Sequence, residues 1–95
     1  MFYMENLENL ENKIYEKLLE KMDISESDIE GFTFDSPIFT FDRTTEGVCM
    51  GLDSLDTLEL IVTIYETWGI DIPPEEAKNL LTVNMIADYI RKHIG

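Results

Sequence analysis

Apolar residues recur at intervals of three and four near the start of the chain, at Leu7, Leu10, Ile14, Leu18 and Met22. This spacing places them on one face of an α-helix. Lysines and glutamates occupy many of the positions between them, as on a helix face that is exposed to water. The pattern therefore predicts a first amphipathic helix over residues 2–22.

A different pattern occupies residues 31–50, where Phe-Thr-Phe-Asp occurs at residues 32–35 and again at residues 39–42. Alternation with a period of two is typical of β-strands and would allow a hairpin. However, two short strands without a third are only marginally stable. We therefore predict a long loop over residues 31–50 whose aromatic side chains cover the helices and complete the core.

The apolar run that follows Ser54 predicts a second long helix over residues 54–68, which Gly69 would end. The apolar residues of this helix are too numerous for one face, and at roughly 100° per residue they separate into two stripes. We call the first the inner stripe and predict that it packs into the core: Leu60, Ile61, Ile64 and Trp68. We call the second the outer stripe: Leu55, Leu58, Val62 and Tyr65.

Polar residues border the outer stripe, at Asp56, Glu59, Thr63 and Glu66. An apolar strip edged by charge is typical of a surface on which another protein docks. We therefore predict that the outer stripe is exposed. The alternative is that the long loop covers it.

Two further helices are predicted near the end of the chain. Pro73 and Pro74, followed by two glutamates, are typical of a helix N-terminus, and this short third helix is expected to reach Leu80 or Leu81. Thr82 can cap a fourth helix. The expected inward face of the fourth helix consists of Val83, Ile86, Ala87 and Ile90. The predicted fold is all-α, a small helical bundle of three longer helices and one short helix, with the long loop between the first and second helices.

The 95 residues have room for one hydrophobic core, which predicts a single domain over residues 1–95. The formal net charge is −13, and Arg43 is the only basic residue between positions 22 and 77. Such a charge repels nucleic acid and anionic membranes and attracts proteins with basic surfaces. No apolar run approaches the roughly 20 residues that span a bilayer. We therefore expect no nucleic-acid partner and no membrane insertion.

Cysteine and histidine each occur once, which limits the chemistry available to the chain. Cys49 cannot form an internal disulfide, and the N-terminus lacks the pattern of a signal peptide, so a monomer of the reducing cytoplasm is expected. His93 lies in a cationic cluster that suits the C-terminus of a helix. Neither a catalytic base for a serine nucleophile nor a cluster of metal ligands is apparent. The sequence therefore predicts neither an enzyme nor a metal site.

The candidate chemistry lies at Ser54, which has an aspartate close on each side. Asp53 can cap the second helix while Asp56 accepts the backbone N–H of Asp53, as in a reciprocal capping box. That arrangement would leave the Ser54 side chain exposed on the first helical turn. By itself, an Asp-Ser-Leu triplet is common and fits an ordinary helix cap.

The wider sequence resembles acyl carrier proteins over about the last half of the chain. The resemblance covers residues 51–60, 68–77, 81–83 and 87–90. It implies that Ser54, with Asp53 and Leu55 beside it, is the attachment site of a 4′-phosphopantetheine arm, which a phosphopantetheinyl transferase transfers from coenzyme A. It implies further that the chain carries acyl intermediates on this arm as thioesters, for enzymes of fatty-acid synthesis or related acyl processing.

The same resemblance implies that partners such as a ketoacyl synthase or an acyltransferase recognise the second helix through basic surfaces. The residues expected to take part are Asp56, Leu58, Glu59, Val62 and Glu66. The chain departs from the family's glutamate-rich end of this helix at Tyr65 and Thr67, and Trp68 replaces the usual phenylalanine. Two alternatives therefore stay open, an aminoacyl or polyketide carrier and an acidic helical interaction subunit that is not modified.

Overall fold

The computed structural model describes residues 9–94, and in this part of the chain it contains four α-helices and one short 3-10 helix. The helices are α1 (Leu10–Met22), the 3-10 helix (Glu26–Ile29), α2 (Asp56–Trp68), α3 (Pro74–Ala77) and α4 (Val83–Ile94). No β-strand occurs between residues 9 and 94. The predicted all-α bundle of three longer helices and one short helix is therefore confirmed.

Residues in the left-handed conformation end the first two long helices. At the end of α1, Asp23 has a φ of 57°, and its N–H donates to the carbonyl of Glu20 at 3.4 Å. At the end of α2, Gly69 has a φ of 73°, and its N–H donates to the carbonyl of Tyr65 at 2.8 Å, as the glycine predicts. The predicted beginning of the first helix, residues 2–8, lies outside the described residues.

The short helix α3 ends at Ala77, so the prediction that it reaches Leu80 or Leu81 is wrong. Beyond Lys78, the next two N–H groups bond to the carbonyls three residues earlier, from Asn79 to Glu76 at 3.0 Å and from Leu80 to Ala77 at 3.1 Å. These bonds are those of tight turns and not of an α-helix. Leu80 is nevertheless buried, because the turns return the chain to the core.

The core lies between the three long helices. The predicted inward face of the fourth helix is confirmed, because all four of its members are fully buried: Val83, Ile86, Ala87 and Ile90. Helix α1 contributes Leu10, Ile14 and Leu18 from the opposite side. At the edge of this contact, the Arg91 guanidinium donates two hydrogen bonds to the Glu11 carboxylate, at 2.8 and 3.0 Å. The ion pair ties α4 to α1.

The inner stripe of α2 faces the core, as predicted. Leu60 and Ile64 are almost completely buried, and the other two members of the stripe are partly buried. Thr63, expected among the polar residues at the border of the outer stripe, is instead only 1% exposed. Its hydroxyl donates to the carbonyl of Glu59 at 2.7 Å, so the polar atom is satisfied within the helix and the side chain can be buried.

The long loop over residues 31–50 enters the core at its centre, where Ile38 and Phe39 are fully buried. The backbone around Phe39 runs parallel to the segment just before Ser54. The Leu52 N–H donates to the Ile38 carbonyl at 3.0 Å, and the Thr40 N–H donates to the Leu52 carbonyl at 2.8 Å. This pairing is a single bridge between Phe39 and Leu52 and does not extend into a strand. The predicted loop is therefore confirmed, and it is bonded to the chain next to the candidate site.

Aromatic side chains of the loop pack on α1 and on one another. Tyr15 of α1 stacks on Phe32 with 5.6 Å between ring centroids, and it contacts Phe34 at 6.1 Å. Phe41 stacks on the buried Phe39 at 4.8 Å but remains 40% exposed. The loop aromatics therefore complete the core, as predicted, although Phe41 lies at the surface.

Candidate functional site

Ser54 lies in the turn between the buried Leu52 and Asp56, the first residue of α2. The predicted helix start at Ser54 is therefore two residues too early. The backbone bonds at this point join residues three apart, from the Asp56 N–H to the Asp53 carbonyl at 3.0 Å and from the Thr57 N–H to the Ser54 carbonyl at 3.4 Å. Such a turn of 3-10 type commonly precedes an α-helix.

Two aspartates hold the backbone around Ser54. The Asp53 carboxylate accepts the N–H groups of Leu55 at 3.0 Å and of Asp56 at 3.3 Å. In return, the Asp56 carboxylate accepts the N–H of Asp53 at 2.9 Å. The predicted reciprocal bonds between Asp53 and Asp56 are therefore present, and they satisfy backbone donors of the turn. The N-cap of α2 is Leu55, however, so the prediction that Asp53 is the N-cap is wrong.

The Ser54 side chain is exposed, whereas its backbone is held in place. The Thr57 hydroxyl donates to the Ser54 carbonyl at 2.7 Å. Among the described residues, the Ser54 hydroxyl itself has no hydrogen-bond partner. The hydroxyl is therefore free to react with an external reagent or within the active site of an enzyme.

The segment before Ser54 is anchored in the core by Met50 and Leu52, which are 4% and 3% exposed. Between them, Gly51 has a φ of 97°, a conformation that side-chain-bearing residues rarely adopt. A Cβ at Gly51 would meet no atom within 4 Å, so the glycine is required by the backbone conformation and not by crowding. Ser54 is thus fixed from both sides, by the buried loop contact upstream and by the reciprocal bonds between Asp53 and Asp56.

The outer stripe of α2 is exposed, as predicted. Its members are 76%, 59%, 46% and 57% exposed in chain order: Leu55, Leu58, Val62 and Tyr65. The alternative that the long loop covers this stripe is wrong, because the loop packs against α1 and the segment before α2. An apolar strip that starts next to Ser54 therefore remains open along the helix.

The three carboxylates beside the outer stripe differ in their contacts. Asp56 is engaged in the bond to the Asp53 N–H. Glu66 lies 3.5 Å from the ammonium of Lys21, an ion pair that joins α2 to α1. Glu59 is exposed, and its carboxylate forms no hydrogen bond or ion pair with another described residue. Glu59 is consequently the carboxylate that an external cation can approach with least competition.

A groove of about 530 Å³ lies beside the site, between the end of α1 and the start of α2. Its walls include Met22, Ile24, Leu52 and Leu55, and charged residues line it at Lys21 and Glu59. The amino-acid sequence alone does not predict this groove. The periodic pattern reveals which residues share a helix face, but it carries no signal for the way in which the end of one helix meets the start of another.

Catalytic groups are not assembled around Ser54 in the part of the chain that the structure describes. His93 lies on α4, where its Nδ1 atom is 2.8 Å from the Tyr89 carbonyl and its ring stacks on Tyr89. Between residues 9 and 94, no three side chains of histidine, cysteine, aspartate or glutamate are grouped as they would be to bind a metal ion. None of the described helices is long and apolar enough to cross a membrane.

The structure thus holds an exposed serine with an unpartnered hydroxyl just before a helix of a small helical bundle. The phosphopantetheine attachment site family matches the chain over residues 12–90, and the chain belongs to this family. Members carry a covalently attached 4′-phosphopantetheine. No solved structure is significantly similar to the chain. The residues present fit the group, since Ser54 offers a free hydroxyl at an exposed turn.

Proposed function

We propose that the chain carries acyl intermediates as thioesters on a 4′-phosphopantetheine arm attached to Ser54, and that it presents them to enzymes of fatty-acid synthesis or related acyl processing. The observation that carries this proposal is the exposed, unpartnered hydroxyl of Ser54 within a chain of the phosphopantetheine attachment family. The chain itself acts as a carrier and not as an enzyme. The expected location is the cytoplasm.

The proposed function requires only one reaction of Ser54, the formation of a bond by its hydroxyl oxygen. Its hydroxyl oxygen forms the phosphodiester bond, the transferase supplies the base that accepts the proton, and the nucleotide part of coenzyme A leaves. When bound, the group supplies a terminal thiol that carries the acyl chain. The positive end of the α2 dipole favours the phosphate, while the carboxylates of Asp53 and Asp56 oppose it by like charge. These aspartates support the site chiefly by fixing the turn, and Leu55 completes the motif that the transferase meets.

Partner recognition is proposed to use the exposed side of α2. Leu58 and Val62 offer apolar contacts, and Glu59 and Glu66 lie beside them as anchors for basic side chains. Asp56 adds charge next to the attachment point. The expected partners are the phosphopantetheinyl transferase and acyl-processing enzymes with basic docking surfaces, such as a ketoacyl synthase or an acyltransferase.

The test is an intact mass measurement after incubation with coenzyme A and a phosphopantetheinyl transferase. We expect a gain equal to one phosphopantetheine group in the unaltered chain and no gain in Ser54→Ala. Ser27→Ala is the matched control, since Ser27 is an exposed serine in the 3-10 helix and its replacement should leave the gain unchanged. A chain that gains no mass, or a gain that survives Ser54→Ala, contradicts the attachment site.

The class of acyl group has a second candidate, an aminoacyl or polyketide intermediate. The end of α2 favours it, because Tyr65 and Thr67 stand where the resembling carriers are rich in glutamate. Identifying the acyl group released from the protein isolated from its host separates the two. An unmodified interaction subunit would instead be isolated without the arm, and Ser54→Ala would leave its function intact.

A further inference from the structure

The last carboxylate of α2 is paired with a cation of the same chain. Helix α2 contains three carboxylates, Asp56, Glu59 and Glu66, and no basic residue. The ammonium of Lys21, in the last turn of α1, lies 3.5 Å from the Glu66 carboxylate. The ion pair therefore neutralises the carboxylate of α2 that is farthest from Ser54 along the chain.

We propose, as an inference that rests on the proposed function, that Lys21 competes with the basic side chains of docking partners for Glu66. In the free chain Lys21 occupies Glu66, and a partner gains this anchor only by displacing the Lys21 ammonium. Lys21 thus lowers the affinity of partners whose basic side chains reach Glu66. It leaves unaffected the partners whose basic side chains meet only Asp56 and Glu59, near Ser54.

The two glutamates beside the outer stripe are not equivalent to an approaching cation. Lys21 and Glu59 both line the groove between the end of α1 and the start of α2, which we call the α1–α2 groove. The Lys21 ammonium nevertheless forms its ion pair with Glu66, and Glu59 has no partner among the described residues. Glu59 and Glu66 are seven residues apart, which is about 10 Å along a helix. One partner can therefore meet a free carboxylate and an occupied one in a single interface.

The position of Lys21 is fixed by the end of α1. Met22 is the last residue of the helix, and Asp23 turns the chain in the left-handed conformation, with a φ of 57°. Leu18, almost one turn before Lys21, is 1% exposed and holds this end of α1 in the core. The backbone of Lys21 is therefore held in place, and only its side chain has to move to release Glu66.

The ion pair is weak enough for a partner to open it. The side chains of Lys21 and Glu66 are 39% and 57% exposed. Exposed ion pairs of this kind contribute so little that displacement lowers a partner's affinity by a factor of about five at most. A guanidinium can form two hydrogen bonds to one carboxylate, so a partner arginine replaces the Lys21 ammonium more readily than a partner lysine does.

A partner that covers the outer stripe from Ser54 onwards also covers Glu66. Helix α2 has 13 residues and is therefore about 20 Å long. A protein interface of ordinary size buries about 800 Å² on each partner, which corresponds to a patch about 30 Å across. A phosphopantetheinyl transferase that binds Ser54 and docks along the outer stripe consequently has Glu66 within its interface.

The test measures the dissociation constant of the transferase at low salt without coenzyme A, so that no arm is transferred. Lys21→Gln removes the competitor and should tighten binding by about two- to five-fold. Lys21→Arg keeps a cation beside Glu66 and should not tighten binding. Lys17→Gln is the matched control, because it removes the same charge one turn earlier in α1, from an ion pair with Glu20 at 4.0 Å, and should tighten binding less.

A double-mutant cycle separates competition for Glu66 from an effect of net charge. Glu66→Gln should weaken binding more in the Lys21→Gln chain than in the unaltered chain, because only the former offers Glu66 as a free anchor. Equal effects of Glu66→Gln in the two chains would overturn the inference. The same conclusion follows if Lys21→Gln does not tighten binding, or if Lys17→Gln tightens it equally.

Loading of the arm is measured separately, as the mass gain of the unaltered chain with coenzyme A and the transferase. In a chain that gains the arm, failure of the cycle overturns the competition by Lys21 and leaves the carrier function standing. A chain that gains no mass overturns the proposed function, and the inference with it.

Discussion

Asp53 and Asp56 each accept the backbone N–H of the other, at 3.3 and 2.9 Å, and Ser54 lies between them. The pair orders the turn without using the serine hydroxyl. The site therefore combines a fixed backbone with a free side chain, as the proposed attachment of an arm to Ser54 requires.

Removing the Asp53 carboxylate should destabilise the fold by a small, measurable amount. Asp53→Ala is expected to lower the free energy of unfolding by about 1 kcal/mol, because the Leu55 N–H loses its acceptor and the Asp56 N–H keeps only the Asp53 carbonyl. Asp53→Asn keeps a side-chain oxygen and should lose only a few tenths of that energy. Urea unfolding measures both, and equal losses in the two variants would contradict the role of the Asp53 side-chain oxygen as an acceptor.

Substitutions in the inner stripe of α2 should mainly reduce stability, and substitutions in the outer stripe should mainly weaken partner binding. Leu60 is fully buried and Leu58 is 59% exposed. Leu60→Ala should therefore cost about 2–5 kcal/mol of unfolding free energy, whereas Leu58→Ala should stay within about 0.5 kcal/mol of the unaltered chain. The expected order reverses for affinity to the transferase, which Leu58→Ala should weaken. A large stability loss in Leu58→Ala would show that the outer stripe belongs to the core.

Docking should depend on charge at Glu59. Glu59→Lys is expected to weaken binding of the transferase, and the loss should be larger at low than at high salt because ions screen exposed charges. Glu16→Lys makes the same change in net charge on the exposed side of α1 and serves as the control. The dissociation constant measured over a salt series decides the matter, and equal effects of the two variants would count against a specific role for Glu59.

The ion pair between Glu11 and Arg91 should make stability depend on pH under acidic conditions. The hydrogen bonds from Arg91 lower the pKa of Glu11 below its ordinary value of 4.5. A carboxyl whose pKa is lower in the folded state stabilises the fold fully above its unfolded-state pKa, and this contribution is lost as pH falls through the folded-state pKa. The pair is partly exposed, so we expect about 1 kcal/mol or less.

Glu11→Gln measures this contribution. Its stability deficit relative to the unaltered chain should be constant near neutral pH and should shrink as the pH falls below the ordinary pKa of Glu11. Urea unfolding of both chains across that range provides the values. A deficit that does not change with pH would mean that Glu11 acts through packing and not through its charge.

The sequence was sufficient to predict the long helices, although not the start of α2 or the end of α3, and to predict the hydrogen bonds around Ser54. In the last helix the apolar residues recur at a spacing that places them on one helical face, which is why Val83, Ile86 and Ile90 could be assigned to the core. The reciprocal bonds were equally accessible, because Asp53 and Asp56 are three residues apart and interact within one turn. Interactions of such short range depend little on the rest of the fold.

Other features of the site depend on residues far apart in the chain. The exposure of the outer stripe was one of two alternatives until the packing of the loop excluded the other. The contact between Phe39 and Leu52 anchors the segment before Ser54. These two residues are 13 positions apart in the loop region, and no helical or strand periodicity of the sequence predicts that they pair. The pairing of Lys21 with Glu66 depends likewise on how α1 crosses α2.

Ser54 as the candidate attachment point, the bonded aspartates beside it and the two stripes of its helix were determined by the sequence alone. The burial of Thr63, the anchoring of the turn by the loop and the α1–α2 groove were decided only by the tertiary structure. The reason is physical. Helical periodicity and capping depend on interactions between residues that are close in the sequence. A groove exists only where two helices, brought together by a shared core, leave space between their ends.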